Sequence, residues 1–286
     1  MQKYLVGTLD VGAFGAMVDR RTVIGNLAKK FGRVPVFAYN GYHYGEPYDY
    51  DYTLEDSGQP TAYLSYTEQE DKTVFFDFNY YWNTNTEEFI KLKKKRNWVQ
   101  DGETLSSYKL KPEYQEVVSK TMERFPQIPE SIAIHIRRGD KIVEAPYIPM
   151  QEYLDACLDA REKCGSNLVY INSDCNEVID EAINKLEKLD FKCFFDEEEK
   201  RFGFGDPNDP NNNSNWEMTK SNPETREQEA LTGIKIIYTI AKSKYIVAGD
   251  NVQLGKIATK LNSYYRHLEG KVDNGYTLLY PPVEKV

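Results

Sequence analysis

Apolar residues recur along this chain in two alternating rhythms, a short run and then a helical stripe. Tyr4-Leu5-Val6 reads as a short strand, and a glycine-punctuated loop, Gly12-Ala13-Phe14-Gly15, follows it. Met17, Val23, Ile24, Leu27, Ala28 and Phe31 then fall on one helical face. Gly32 stops that helix, and residues 34–39 form the next predicted strand. Strand, glycine loop, helix, strand is a βαβ unit, which implies a parallel sheet. The pattern further predicts a strand over 73–80, a Lys-rich helix over 86–96, and a helix over 112–124 with Pro112 in its first turn.

Phe125-Pro126-Gln127-Ile128-Pro129 is the best boundary, because two prolines bar regular structure and a new apolar strand, 132–136, begins just after. The second half alternates more clearly. A helix starts at Pro149 with Tyr153, Leu154, Cys157 and Leu158 on one face. A strand over 168–172, a helix over 176–189 and a strand over 191–195 follow. Residues 206–221 form a loop rich in Pro and Asn. A helix carrying Ala230, Leu231, Ile234, Ile237, Tyr238 and Ala241 precedes a strand over 245–248 and a last helix over 253–267. No repeat of solenoid period is present. The expected fold is α/β, with two facing doubly wound, Rossmann-like domains over residues 1–125 and 126–286.

The length of 286 residues is enough for two such cores. A formal charge of -9 and a pI near 5.1 argue against a nucleic-acid partner, though they leave room for a local basic pocket. The first residues, MQKYLVGTLDVG, lack the features of a signal peptide, and no run approaches the roughly 18 apolar residues of a membrane span. A soluble, cytoplasmic protein is therefore expected. Cys157, Cys164, Cys175 and Cys193 form no CxxC pair and read as buried free thiols. The three histidines, His43, His135 and His267, lack ligand-like neighbours, so no metal site is expected.

In open parallel sheets, ligands bind at the carboxyl ends of strands and the amino ends of the helices that follow. Three places qualify. Gly12 to Gly15 would let a ligand approach the backbone, although a tight structural turn explains the same glycines. The second is Ser131-Ile132-Ala133-Ile134-His135-Ile136-Arg137-Arg138-Gly139-Asp140-Lys141. Here a buried strand ends abruptly in three cations, which suits a diphosphate because guanidinium binds phosphate oxygens bidentately. The alternatives are a solvated turn with Arg137 paired to Asp140, or an exposed Arg-Gly-Asp adhesion tripeptide. The third is Gly249-Asp250-Asn251-Val252-Gln253, which could meet the other end of a nucleotide or simply cap the last helix.

Asp49-Tyr50-Asp51 mimics a metal-holding acidic pair, and Asp174 either points to the same edge as Arg137 or caps a helix. Lys91, Lys93, Lys94, Lys95 and Arg96 read as a solvated helix face, and Asn212-Asn213-Ser214 is a glycosylation sequon without a secretory route. Tyr42, Tyr44, Tyr48 and Tyr50 could stack on sugar rings or fill a tyrosine-rich surface.

The segment His135 to Lys141, then Glu144, then Pro149-Met150-Gln151-Glu152-Tyr153, resembles the central motif of the alpha-1,6-fucosyltransferases. The resemblance continues through Val169 to Asp174, Leu231-Thr232-Gly233 and Val252-Gln253, and more faintly back to Gly12 and Gly15. It covers most of the chain in order, but only the central motif is specific, and alpha-1,2-fucosyltransferases share its arginines. The resemblance implies a GT-B-like pair of domains, with residues 1–125 on the acceptor side and 126–286 binding the nucleotide sugar. It implies that Arg137 holds the donor β-phosphate with Arg138 in support, and that His135 lies near the base or ribose. Glu144 would be the general base, giving inversion without a metal, and Asp174 and Gln253 would line the donor site. Such chemistry is physically sound: an arginine can stabilise a departing nucleoside diphosphate, and a carboxylate opposite it can take the acceptor's proton.

The chain departs from the family in three places. One residue fewer separates Lys141 from Glu144; Ile237 stands where the family has an acid that helps read guanine; Val252 stands where serine is usual. The donor thus stays open between GDP-fucose and another nucleotide sugar such as UDP-xylose. The partners implied are that donor and a glycan acceptor, with no further cofactor. The lack of an anchor suits a microbial or viral enzyme or an excised catalytic domain. A non-catalytic sugar-nucleotide or glycan-binding module on the same fold is the alternative, and an unrelated phosphate-binding α/β protein the more distant one.

Overall fold

A computed structural model of the chain describes residues 3–10, 14–40, 47–49, 62–63, 74–76, 97–138, 146–199, 201, 223–250, 252–271 and 275–281. The expected opening unit is present as β1 (Tyr4–Asp10), α1 (Phe14–Lys30) and β2 (Val34–Asn40), with β1 and β2 parallel. Met17, Ile24, Leu27 and Ala28 are buried beneath α1, and Gly32 ends the turn after the helix at φ 60°. β5 (Val74–Phe76) flanks β1 on the other side and β4 (Ala62–Tyr63) lies outside it, giving the parallel order β2-β1-β5-β4. β5 realises part of the strand expected over 73–80. The rest of it, and the helix expected over 86–96, lie outside the described residues.

Two elements depart from expectation in the middle of the chain. α2 (Trp98–Ser107) has no apolar stripe to announce it, because its buried side includes Asp101, Gly102 and Thr104. Its start is fixed by Asn97, whose side-chain oxygen accepts from the backbone N–H groups of Val99 and Gln100. A short ribbon pairs β3 (Tyr48–Asp49) with β6 (Lys109–Leu110) antiparallel. Tyr48 is fully buried there and packs on Tyr108 at 5.4 Å, so it is a core residue rather than a sugar-stacking surface. α3 (Pro112–Arg124) follows as expected. The break after it is not irregular throughout: Ile128–Glu130 form one 3-10 turn, which tolerates Pro129 because first-turn N–H groups need no partner.

The second sheet is built from β7 (Ile132–Ile136), α4 (Met150–Cys164), β8 (Leu168–Ser173), α5 (Asn176–Glu187), β9 (Lys192–Phe195), α6 (Pro223–Ile240), β10 (Tyr245–Gly249), α7 (Gln253–Leu268) and β11 (Tyr276–Leu279). All pairings are parallel, in the order β11-β10-β7-β8-β9. Counted from β7, this is 3-2-1-4-5 read from the β9 edge, the order of a nucleotide-binding sheet, and its switch point lies between β7 and β10. The edge strand β11 was not expected, since four residues near the chain's end give too short a pattern.

Period-2 alternation divides this sheet between two cores. Ile132, Ile134, Val169, Ile171, Tyr245 and Val247 pack under α4 and α5. Ala133, Tyr170, Ile246 and Ala248 face α6 and α7, in a cluster that also takes Leu5, Phe14 and Met17 from the first half. α2 packs closely on α7, and α3 on α6. All four cysteines are free; Cys157 and Cys175 are buried as expected, while Cys164 and Cys193 are only half-buried.

The α2–α7 contact depends on a glycine. A Cβ on Gly102 would lie 2.2 Å from the Lys260 carbonyl oxygen and 2.7 Å from Tyr264 Cβ. Gly102→Ala gains about 1 kcal/mol of helix propensity, but the clash is with backbone and outweighs it. A net loss of about 1–2 kcal/mol is expected in urea unfolding; an unchanged or raised midpoint would contradict this packing.

Candidate active site

The carboxyl ends of β7, β8 and β10 bring together most of the predicted residues that the structure describes. Cα register places His135 beside Asn172 on one side and Ala248 on the other. His135 therefore sits on the sheet face covered by α7, at the switch point. A Cβ on Gly255, in the first turn of α7, would meet Ala248 Cβ at 2.7 Å and His135 Cδ2 at 3.3 Å, so the helix can seat against the imidazole only with glycine there.

The strand end makes two different uses of its arginines. Arg137 keeps its side chain 31% exposed, with Nη1 3.2 Å from Asp174 Oδ2. Asp174 Oδ1 accepts from the backbone N–H of Arg138 at 2.9 Å. Asp174 thus links the end of β8 to the end of β7 and does not cap a helix; α5 takes Cys175 as its N-cap, without a side-chain bond. Arg138 turns inward and is buried, its guanidinium 5.0 Å from the Tyr147 ring centre and 5.9 Å from that of Tyr153. An Arg-Gly-Asp adhesion loop with its arginine buried on tyrosines is excluded.

At the neighbouring strand end, Val252 is the buried N-cap of α7 and provides no side-chain cap. Asp250 does not cap it either and has Oδ1 3.5 Å from Lys256 Nζ. Gln253 is exposed on the first turn. Gly15 meets that same turn, where a Cβ would lie 3.0 Å from Gln253 Cβ and 3.1 Å from Leu254 Cδ2. Close helix approach thus accounts for Gly15, and it draws the start of α1 to the start of α7. Gly12, Asn251, Glu144, Asp140 and Lys141 lie outside the described residues, as do the side chains of Asp49 and Asp51. Among the described residues, no group of three or more His, Cys, Asp or Glu is placed to hold a metal ion, and no helix is long and apolar enough to cross a membrane.

A buried polar layer behind His135 went unread in the sequence. His135 Nδ1 and Asn172 Oδ1 are 2.6 Å apart, and Asn172 Nδ2 donates to Glu199 Oε1 at 3.1 Å. Lys235 Nζ lies 2.5 Å from Glu199 Oε2 and 2.9 Å from Asp196 Oδ2, and Arg124 pairs with Asp196 from the end of α3. Arg201 braces the turn by donating to the carbonyls of Ser173, Asp196 and Glu199. The available signal was the polar Asn172 alternating with Tyr170 on a core-facing strand.

Burial lowers the His135 pKa from 6.5 to about 4, against the opposing pull of Asn172 and Asp174, with Arg137 adding to the depression. The imidazole is neutral at physiological pH. Its other nitrogen, Nε2, is buried and has no hydrogen-bond partner among the described residues.

No protein-family model matches the chain, and no curated protein matches it in sequence. Solved structures do match in fold. The alpha-1,6-fucosyltransferase NodZ soaked with GDP-fucose superposes with a TM-score of 0.55 at 12% identity, over 91% of this chain and 93% of that one. POFUT1 in complex with GDP-fucose gives 0.52 at 11% identity, over 96% and 97% of the two chains. The fucosyltransferase NodZ from Bradyrhizobium gives 0.53 at 12% identity, over 91% and 93%. The chain has a fucosyltransferase-like fold, mixed α/β with parallel sheets.

A buried histidine with a depressed pKa binds fewer protons folded than unfolded, so stability falls as pH drops from 6.5 towards about 4. The loss attributable to this group is on the order of 3 kcal/mol. Thermal unfolding across that range should show it, and His135→Asn should flatten the curve there. An equally steep curve in the variant would assign the acid sensitivity elsewhere.

Proposed function

We propose that the protein is an inverting glycosyltransferase that needs no metal ion and moves a sugar, first of all fucose from GDP-fucose, onto a glycan hydroxyl. The observation that carries this reading is Arg137, a half-exposed guanidinium held against Asp174 beside the switch point of a nucleotide-type sheet. The fold likeness to NodZ and POFUT1, both of which were solved with GDP-fucose, supports it. In this reading the two sheets belong to two facing domains, residues 1–125 receiving the acceptor and 126–286 holding the donor.

The division of labour follows from the side chains. Arg137 binds the β-phosphate, and Arg138, locked on its tyrosines, fixes the backbone that carries Arg137. His135 meets the nucleoside, while Asp174, Asp250, Asn251, Val252, Gln253, Gly12 and Gly15 line the donor groove. Glu144 accepts the proton of the acceptor hydroxyl as its oxygen attacks the anomeric carbon. The bond from that carbon to the phosphate oxygen breaks on the opposite face, and the electron pair leaves with the diphosphate. Arg137 stabilises the charge that develops there, a task a metal ion performs elsewhere.

One observation favours a second donor. Ile237, at the position where the family reads guanine with an acid, is fully buried among the apolar residues of α6 and its neighbours. A uridine donor such as UDP-xylose would use the same fold and mechanism.

Thermal unfolding with GDP, GDP-fucose, UDP, UDP-glucose and UDP-xylose, with and without Mg²⁺, distinguishes these readings, because a ligand selective for the native state raises its melting temperature. Stabilisation by GDP and GDP-fucose without metal is expected. A response to uridine nucleotides alone would replace fucose, and no response to any nucleotide would refute the transferase. Arg137→Ala should weaken nucleotide binding by about 10- to 100-fold, the worth of one or two charge-assisted bonds. Glu144→Gln should keep nucleotide affinity and lose transfer; near-normal turnover would remove Glu144 from the mechanism.

A further inference from the structure

The chain His135–Asn172–Glu199–Lys235 fixes more than packing. Glu199 is buried and ionically paired with Lys235, so its carboxylate can only accept hydrogen bonds. Asn172 must therefore turn its NH₂ to Glu199, at 3.1 Å, and its carbonyl oxygen to His135, at 2.6 Å. Facing an acceptor, His135 must carry its single ring proton on Nδ1. Nε2 is then a bare acceptor, buried and without a partner among the described residues. Such an atom is costly to bury unless a ligand completes it.

We infer that Glu199 and Lys235 are positioning residues that act through Asn172 to hold His135 in its Nδ1–H form, so that Nε2 demands an O–H or N–H group from the bound nucleotide. Neither residue touches the ligand. The demand on the nucleotide rests on the donor reading above, whereas the tautomer does not. Asp196 belongs to the same layer as the second counter-charge of Lys235, at 2.9 Å, and ties it to Arg124. The layer lets a specificity choice at the sheet edge be dictated by charges that a nucleotide never meets.

Glu199→Gln tests this with almost no change of shape. Its amide oxygen should turn to the Lys235 cation and its NH₂ to Asn172. Asn172 must then flip its own amide, which presents NH₂ to His135 and moves the ring proton to Nε2. Long-range ¹H–¹⁵N spectra of labelled full-length protein report which imidazole nitrogen is protonated. With only three histidines in the chain, His135→Asn assigns the signal. The expected result is a protonated Nδ1 and bare Nε2 in the wild type at neutral pH, and the reverse in Glu199→Gln. Affinity for the nucleotide that stabilises the wild type should fall at least about tenfold in the variant, since an acceptor has become a donor. Lys235→Arg, which keeps the charge, should leave the wild-type tautomer in place.

A wild-type ring protonated on Nε2 overturns the inference outright, even if Glu199→Gln does not fold. A folded Glu199→Gln with the wild-type tautomer overturns it as well. If the tautomer switches as expected but no nucleotide binds either protein, the positioning layer stands and the donor reading fails.

Discussion

The mutual placement of the two sheets depends on one buried cation. Lys260 is 3% exposed, in the middle of α7, with its ammonium 2.6 Å from Asp19 on α1 and 3.3 Å from Asp101 on α2. A buried lysine is tolerable only when its charge is met, so three helices from distant parts of the chain are bound to one point. Asn26 extends the point by donating to Asp101 at 2.7 Å and accepting from Thr104 at 2.5 Å. Specificity rather than raw stability is the effect to expect of such a cluster, because an apolar interface could slide and this one cannot. With α1 held on α7, Gly15 reaches the first turn of α7, so the two helices begin on adjacent ground.

The candidate site shows the same economy of position. A parallel strand buried on both faces ordinarily carries apolar residues throughout. β7 and β8 break that rule at the same level, with His135 and Asn172 side by side on the α7 face. Behind those exceptions Glu199, Lys235, Asp196 and Arg201 form an ionic layer that offsets them. Polar substitutions at a strand's carboxyl end thus propagate inwards as charges, and outwards as a ligand-facing edge.

Much of this was legible in the sequence, and unevenly so for physical reasons. The second sheet's helices and first four strands follow from 3.6- and 2-residue periods because each buries an apolar face. α2 escaped because its buried side is polar, paired with Lys260 rather than with hydrocarbon. The motif around Arg137 was visible as cations at a strand end, but the opposite fates of Arg137 and Arg138 were not. Which arginine is buried depends on Tyr147, just before α4, and Tyr153 within it, whose rings Arg138 meets only in the folded arrangement. Likewise Asp174 and a helix cap look identical in one dimension; only the parallel register of β7 and β8 brings its carboxylate to the Arg138 backbone.

The chain carries a formal charge of -9, yet its candidate site presents the Arg137 cation at one edge. Arg137 keeps its side chain 31% exposed while Asp174 Oδ2 stands 3.2 Å from its Nη1, and a guanidinium suits oxyanions because its donors form a planar fork. The imidazole beside it cannot add positive charge, since burial and Arg137 itself keep it neutral. A diphosphate and a nucleoside pose different demands, charge for one and directed hydrogen bonds for the other. In the proposed reading these demands fall to two residues two positions apart, His135 on the face covered by α7 and Arg137 just past the end of β7 at the edge. The start of α7, where Val252 as N-cap makes no side-chain bond, adds first-turn N–H groups next to them. Charge, a neutral acceptor and helix N–H groups thus converge where the order of strands reverses, which makes the topology itself the first determinant of what can bind.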